Sequence, residues 1–301
     1  MKALVTGAGG FVGGHLLAHL TAEGDDVIPC DRLHGGVDIT HGEAVGRMIA
    51  DAAPDAVYHL AGWADVGASW RVPEEVFAAN AVGTLNVLRA CADAGVGRVL
   101  SVGSADVYGK VAEDELPLTE ESPLRPVSPY AASKVAADFL GLQAWLGRSL
   151  PVVRVRAFNH LGPGQGEQFV ASALASRIAR NENDGGDVIR VGNLSARRDF
   201  TDVRDVVRAY RMLIRDGVPG EVYNLCTGTA IAVQELAEMM LVHARRSMRL
   251  ETDPDLARPV DTPVLLGDPS KLHDATGWKT EIPLERTVLD LLDDWRTRVR
   301  T

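Results

Sequence analysis

The stretch Lys2-Ala3-Leu4-Val5-Thr6-Gly7-Ala8-Gly9-Gly10-Phe11-Val12-Gly13 decides the architecture. Lys2–Thr6 has an apolar centre and reads as a short strand. Glycines follow, and then Phe11, Leu16, Leu17 and Leu20 recur at helical spacing over Phe11–Glu23. A strand, a tight turn and a helix in immediate succession open a βαβ unit. Gly7, Gly10 and Gly13 keep a GxxGxxG spacing across that turn. Main-chain N–H groups in such a turn can approach a pyrophosphate, and the helix N-terminus adds positive potential. A glycine-rich turn can also be only a turn; its place between strand and helix favours the nucleotide reading.

The alternation continues outward. Strands are predicted at Asp26–Cys30, Ala56–Leu60, Arg98–Val102, Pro151–Ala157 and Glu221–Leu225, with helices at Glu43–Ala52, Val76–Ala94, Pro129–Leu146 and Asp202–Ile214. This order predicts an α/β fold of the Rossmann type: a doubly wound, mostly parallel sheet covered on both faces. The regularity stops near residue 158. Gly162-Pro163-Gly164 breaks the chain, a helix follows at Phe169–Arg180, and prolines punctuate the region after Val233. We therefore expect residues 1–158, joined by roughly 188–232, to form the dinucleotide-binding domain. Residues 159–187 and 233–301 are expected to form a smaller, discontinuous substrate lobe.

Composition narrows the function classes. Of 301 residues, 46% are hydrophobic and 24% charged, as in ordinary globular proteins. No apolar run approaches the roughly 18 residues of a membrane span, and the N-terminal apolar stretch is too short for a signal peptide. A cytoplasmic protein is expected. The net charge of −10 argues against nucleic-acid or anionic-membrane partners while leaving room for a local basic pocket. Cys30, Cys91 and Cys226 are scattered and odd in number, so they read as buried small hydrophobes. His15 and His19 share a helix face but have no third ligand nearby, and no metal site is expected.

Asp31 ends the second strand about 20 residues past the glycines, where an acid would bond the adenosine ribose hydroxyls. That favours NAD(H). Arg32 follows, and an arginine there could instead meet the 2′-phosphate of NADP(H). In Ser128-Pro129-Tyr130-Ala131-Ala132-Ser133-Lys134, Ser128 can cap a helix, and Tyr130 and Lys134 share one face. A tyrosine titrates near about 10; a neighbouring ammonium and a nicotinamide cation are expected to lower that value, so the phenol can exchange protons with a sugar hydroxyl. The strand Val99–Ser104 ends in a hydroxyl, and parallel sheets bind ligands at their strand ends. Ser104 is therefore expected to meet the same substrate oxygen as Tyr130, and Ser104, Tyr130 and Lys134 are the expected catalytic group.

Together these residues resemble the extended short-chain dehydrogenase/reductase family over nearly the whole chain. The resemblance rests on Thr6–Gly13, His59-Leu60-Ala61-Gly62, Asn80, Ser104…Tyr108-Gly109, Tyr130…Lys134 and Arg154–Asn159. It implies a cofactor cleft of Gly7, Gly10, Phe11, Val12, Asp31, Arg32, Asp38, Ile39, Leu60, Ala61, Gly62, Asn80, Tyr130 and Lys134. The family also commonly pairs its two long helices across a four-helix interface, which implies a homodimer. A narrower likeness, to GDP-mannose 4,6-dehydratases and more closely to GDP-4-keto-6-deoxy-mannose reductases, comes from Arg156–Gln165, Val191–Asp205 and Arg258–Trp278. It implies that Asn159, Arg198 and Arg258 hold the diphosphate of a GDP-linked sugar, a dianion suited to guanidinium forks, and that Asn193 also binds the substrate.

Sugar dehydratases usually carry a glutamate two residues after the catalytic hydroxyl. Here that position is Asp106, one methylene shorter. This departure favours a reductase that gives hydride to a C4 ketone and yields a GDP-6-deoxyhexose such as GDP-rhamnose, with Asp106 a spectator or a ligand of a substrate hydroxyl. The rival readings are a 4,6-dehydratase or 4-epimerase with tightly held NAD, and a cofactor-sensing binding protein without turnover.

Overall fold

In the computed structural model, which describes residues 1–32, 36–256 and 262–300, the strands are β1 (Lys2–Thr6), β2 (Asp26–Cys30), β3 (Ala56–His59), β4 (Arg98–Val102), β5 (Val152–Ala157), β6 (Asn159–Leu161), β7 (Val188–Val191), β8 (Arg197–Asp202), β9 (Val222–Leu225), β10 (Ala230–Ala232), β11 (Arg249–Thr252) and β12 (Val264–Leu265). The α-helices are α1 (Phe11–Ala22), α2 (Gly42–Ala52), α3 (Pro73–Phe77), α4 (Gly83–Asp93), α5 (Pro129–Arg148), α6 (Val170–Asp184), α7 (Val203–Asp216), α8 (Val233–Val242), α9 (Ser270–Thr276) and α10 (Leu284–Arg298). The main sheet runs β2-β1-β3-β4-β5-β9, with every pairing parallel. Strand order reverses at β1, so a crevice opens between the carboxyl ends of β1 and β3.

Strand residues alternate between two helical layers. Ala3 and Val5 enter the layer holding Leu16 and Leu20 of α1 and Val206 and Tyr210 of α7. Leu4 enters the opposite layer with Val45, Ile49, Val87 and Cys91 of α2 and α4. A sheet buried on both faces produces the continuous apolar runs seen in the sequence, and each such Leu or Val contributes roughly 1.5–3 kcal/mol. All three cysteines are buried. Among the described residues, no helix is long and apolar enough to cross a membrane.

The smaller lobe contains a sheet ordered β10-β8-β12, with β6 also on β8, and a separate β11-β7 pair. Ile189, Val191 and Phe200 pack there against Leu174, Leu236, Leu291 and Trp295. This moves the expected boundary. Of the segment 188–232, α7 and β9 join the main sheet, whereas β7, β8 and β10 belong to the small sheets. In the other direction, Leu272 and Trp278 pack into the main-sheet core, and Trp278 Nε1 donates to the Asp205 carbonyl at 3.0 Å. A strand's apolar pattern says that it is buried, not which sheet it joins.

The expected helix Val76–Ala94 begins earlier, at Pro73, and contains a π-helical turn over Ala78–Val82. Apolar spacing does not register the one wider turn, and such turns are frequent at functional sites. The anticipated Ser128 cap forms, and α7 is capped as well. Ser128 Oγ accepts from Ala131 N at 3.1 Å, and the Asp202 side chain accepts from Arg204 N at 2.7 Å.

Candidate active site

The carboxyl ends of β1, β3, β4 and β5 carry the candidate residues to one edge of the sheet. After β1 the chain turns at Gly7, whose φ is +73°. A side chain there would bring Cβ to 2.8 Å from the Ala61 amide nitrogen. Gly10 occupies the N-cap of α1 and no side chain caps that end. The first-turn N–H groups of a helix lack partners within it, and here they border a main-chain cradle that a Cβ would fill. This fits a dinucleotide pyrophosphate, with Phe11 and Val12, both half-buried, as the first helical residues beside it.

Asp31, in the residue after β2, accepts a hydrogen bond from Gly9 N, so the acid and the glycine turn are joined directly. Arg32 is exposed next to it. Asp38 accepts from the Thr40 amide and hydroxyl at 2.9 and 2.8 Å, and those bonds hold its carboxyl below the usual range. Ile39 turns its side chain away from the cleft. Its side chain is buried in the core against Gly83, and its carbonyl accepts from Asn86 Nδ2 at 2.9 Å, so it backs the cleft.

Leu60, Ala61 and Gly62 follow β3 as a shelf. Asn80, in the π-helical turn, accepts from Trp63 N at 2.7 Å and donates to Ser133 Oγ at 2.9 Å. Ser133 Oγ in turn donates to the Tyr130 carbonyl at 2.7 Å. Asn80 thus ties the shelf to the first turns of α5.

Tyr130 sits in the first turn of α5 and Lys134 one turn on; both are buried, at 7% and 8% exposure. The Lys134 ammonium donates to the Val102 carbonyl at 3.2 Å and lies 6.0 Å from the centre of the Tyr130 ring. Ser104, past the end of β4, lies close enough to the Tyr130 side chain to lower its pKa. The Ser104 hydroxyl accepts from Asp106 N at 3.2 Å and donates to Asp106 Oδ2 at 3.3 Å. The three expected groups therefore converge. Burial pushes Lys134 down to about 8. Tyr130 shifts opposite to expectation: burial raises it most, Asp106 raises it further, and Ser104 lowers it. The phenol is held protonated, which is the form a proton donor needs.

A second cleft, of about 290 Å³, opens in the smaller lobe beside β6, β8 and α6. Asn159, Asn193 and Arg198 all line it. Arg198 lies on the central strand β8, opposite Ile231 and Leu265, which fixes its backbone. The nearby acids Asp199 and Asp202 are engaged elsewhere: Asp199 by Thr227 and Gly228, Asp202 by Arg204 and Thr287. Asn193 Oδ1 accepts from Ser195 N and Oγ at 3.0 and 2.8 Å. Arg258 lies outside the described residues. Arg177 and Glu167 also line this cleft and were not anticipated; no local motif marks them. The two clefts meet where Phe11 stacks on His160 at 6.2 Å and His15 Nε2 lies 2.7 Å from the Pro163 carbonyl oxygen. His15 thus serves a main-chain contact, and among the described residues no group of three or more His, Cys, Asp or Glu is arranged to hold a metal.

The GDP-mannose 4,6 dehydratase family model matches residues 31–291. The chain belongs to this family. It is 38% identical over 303 residues to a GDP-6-deoxy-D-mannose reductase of Pseudomonas aeruginosa, covering 99% of this chain and 98% of the relative. The solved structure of Pseudomonas aeruginosa RMD complexed with NADPH superposes with a TM-score of 0.91 at 38% identity, over 99% of this chain and 100% of that one. A Thermus thermophilus UDP-glucose 4-epimerase in complex with NAD gives 0.87 at 29% identity, over 98% and 99%. The family member described here is an enzyme of the extended short-chain dehydrogenase/reductase type, with the doubly wound fold expected from its sequence.

Proposed function

We propose that this enzyme reduces the C4 ketone of a GDP-linked 4-keto-6-deoxyhexose with NADH or NADPH, giving a GDP-6-deoxyhexose. One observation carries the reading: Ser104, Tyr130 and Lys134 meet in one buried corner of the cleft. A reduced dinucleotide held at the glycine turn would supply the hydride at this corner. Tyr130 donates a proton to the ketone oxygen as negative charge develops on it, and Ser104 orients and polarises that oxygen. Lys134, pinned to the Val102 carbonyl, keeps a positive charge behind the phenol and stabilises the phenolate left by proton transfer. Arg198, Asn159 and Asn193, with Arg258, hold the diphosphate. The relationship to a named GDP-6-deoxy-D-mannose reductase and to an NADPH complex supports the substrate class and the cofactor. Asp31 bonded to Gly9 favours NADH, and the adjoining Arg32 leaves NADPH open.

The test is incubation of purified protein with GDP-4-keto-6-deoxy-mannose and either reduced cofactor. Oxidation of one equivalent of cofactor per sugar reduced is expected. Turnover of GDP-mannose with no net change in cofactor would instead establish a dehydratase.

A homodimer is also proposed. Phe77 and Val82, exposed by 49% and 41%, and Phe139 and Leu146, exposed by 53% and 72%, leave an apolar surface on α3, the π-turn and α5. Placement of the protein in the cytoplasm completes the proposal and is consistent with the three free, buried cysteines.

A further inference from the structure

His59 is almost fully buried, at 3% exposure, behind the cofactor shelf. Its Nδ1 lies 2.8 Å from Thr6 Oγ1 and its Nε2 lies 2.9 Å from Thr84 Oγ1. The directions of these bonds follow from their neighbours. Thr84 Oγ1 donates its one proton to the Asn80 carbonyl at 2.6 Å, so it can only accept from His59, and Nε2 carries the imidazole proton. Nδ1 is then an acceptor and takes the Thr6 hydroxyl proton. Thr6 Oγ1 accepts in turn from the Ala61 amide at 3.2 Å. A single directed chain results: Ala61 N–H to Thr6, Thr6 to His59, His59 to Thr84, Thr84 to the Asn80 carbonyl.

Both ends of this chain belong to the cofactor cleft. One end holds the shelf at Ala61. The other fixes the backbone of Asn80, whose side chain grips the shelf again at Trp63 and reaches α5 through Ser133. Between the two grips, Gly62 would place a Cβ 2.5 Å from Asn80 Oδ1 and 3.6 Å from the Lys134 ammonium. The shelf at Gly62 therefore lies beside the Lys134 ammonium, so its placement sets the space around that group.

We infer that His59, held as the neutral Nε2–H tautomer, is a positioning residue that sets the cofactor shelf relative to Lys134 before ligand arrives. The inference rests on the reading of this crevice as the nicotinamide-cofactor site. Burial, with the Lys134 charge, also keeps the ring from being protonated.

The test uses the full chain with His59→Phe, Thr6→Val and the double variant, reading thermal midpoint and the Kd of NADPH and NADH by fluorescence. Each single variant is expected to weaken cofactor binding about tenfold, the order of one lost buried hydrogen bond, with KM for the sugar nucleotide unchanged. The double variant is expected to lose much less than the product of the two, because both break one chain. His59→Asn, which keeps an acceptor at the Nδ1 position, is expected to recover part of the affinity. In the folded wild type at pH 7, imidazole ¹⁵N shifts assigned through the variant are expected to show the Nε2–H tautomer. A folded His59→Phe protein that binds cofactor within twofold of wild type, or an Nδ1–H tautomer, overturns the inference. Failure of the wild type to bind either cofactor instead removes the reading beneath it. Should His59→Phe not fold, the tautomer measurement and Thr6→Val still decide.

Discussion

The two clefts of this enzyme are built in opposite ways. Behind the cofactor shelf the polar groups are buried and bonded to one another: Thr6, His59, Thr84, Asn80 and Ser133 form one continuous set. On the proposed nucleotide-sugar side Asn159 and Asn193 are exposed, and Arg198 lines an open cleft from a strand. A shared, chemically constant cofactor is met by a site wired in advance. In the proposed function, a variable sugar nucleotide would be met by anchors on a rigid strand that leave room for the rest of the ligand.

The largest effect that could break this contrast is at the phenol. Tyr130→Phe is expected to cut kcat roughly a hundred- to ten-thousand-fold, the range for a general acid, while cofactor Kd stays near wild type. Retained turnover would remove Tyr130 from the chemistry. Next comes the open cleft. Arg198→Ala is expected to raise KM for the sugar nucleotide about ten- to a hundredfold, the scale of a lost charge-assisted hydrogen bond, with kcat changed far less. A drop confined to kcat would place Arg198 elsewhere in the cycle. The pH profile is a smaller lever. Lys134 titrates at about 8 in the free enzyme, and its charged form is the active one. As pH rises above that value the ammonium is lost, so kcat/KM for reduction is expected to fall about tenfold per unit; a profile flat to pH 10 contradicts this role.

The smallest effect compares tolerance on the two sides. Gly7→Ala, at φ +73° and pressed on Ala61, is expected to cost about 1–3 kcal/mol of stability. Asn193→Ala, at an exposed position, is expected to cost under about 0.5 kcal/mol. Equal shifts in thermal midpoint would erase the distinction drawn here.

Local signals were legible in the sequence wherever the chemistry depends on neighbours in the chain. The glycine turn, the Ser128 cap and the Tyr130/Lys134 face are each encoded within a few residues, and all formed as expected. The doubly wound sheet was legible for the same reason, since each βα unit is local. What escaped depends on distance along the chain. The Thr6, His59 and Thr84 bonds join three elements, and no spacing rule links them. The assignment of β7 and β8 to the smaller lobe rests on α8 and α10, which arrive later. The expected lowering of Tyr130 weighed Lys134 and a nicotinamide cation but not burial, which with Asp106 raises it in the structure. The family resemblance placed Ile39 in the cofactor cleft, and the space beside Gly83 draws its side chain into the core.

The return of α7 and β9 to the main sheet, after the chain has already built α6, β7 and β8 of the small lobe, has a consequence for dissection. Severing the chain at residue 158 would strip β5 of its outer neighbour and uncover the apolar face that α7 shields. Such a fragment would present a raw parallel strand edge together with exposed Val153 and Val155, the combination that drives sheet-to-sheet clumping. Recombination between relatives should therefore succeed by exchanging the cleft-lining segments around Asn159 and Asn193, and fail when whole lobes are traded.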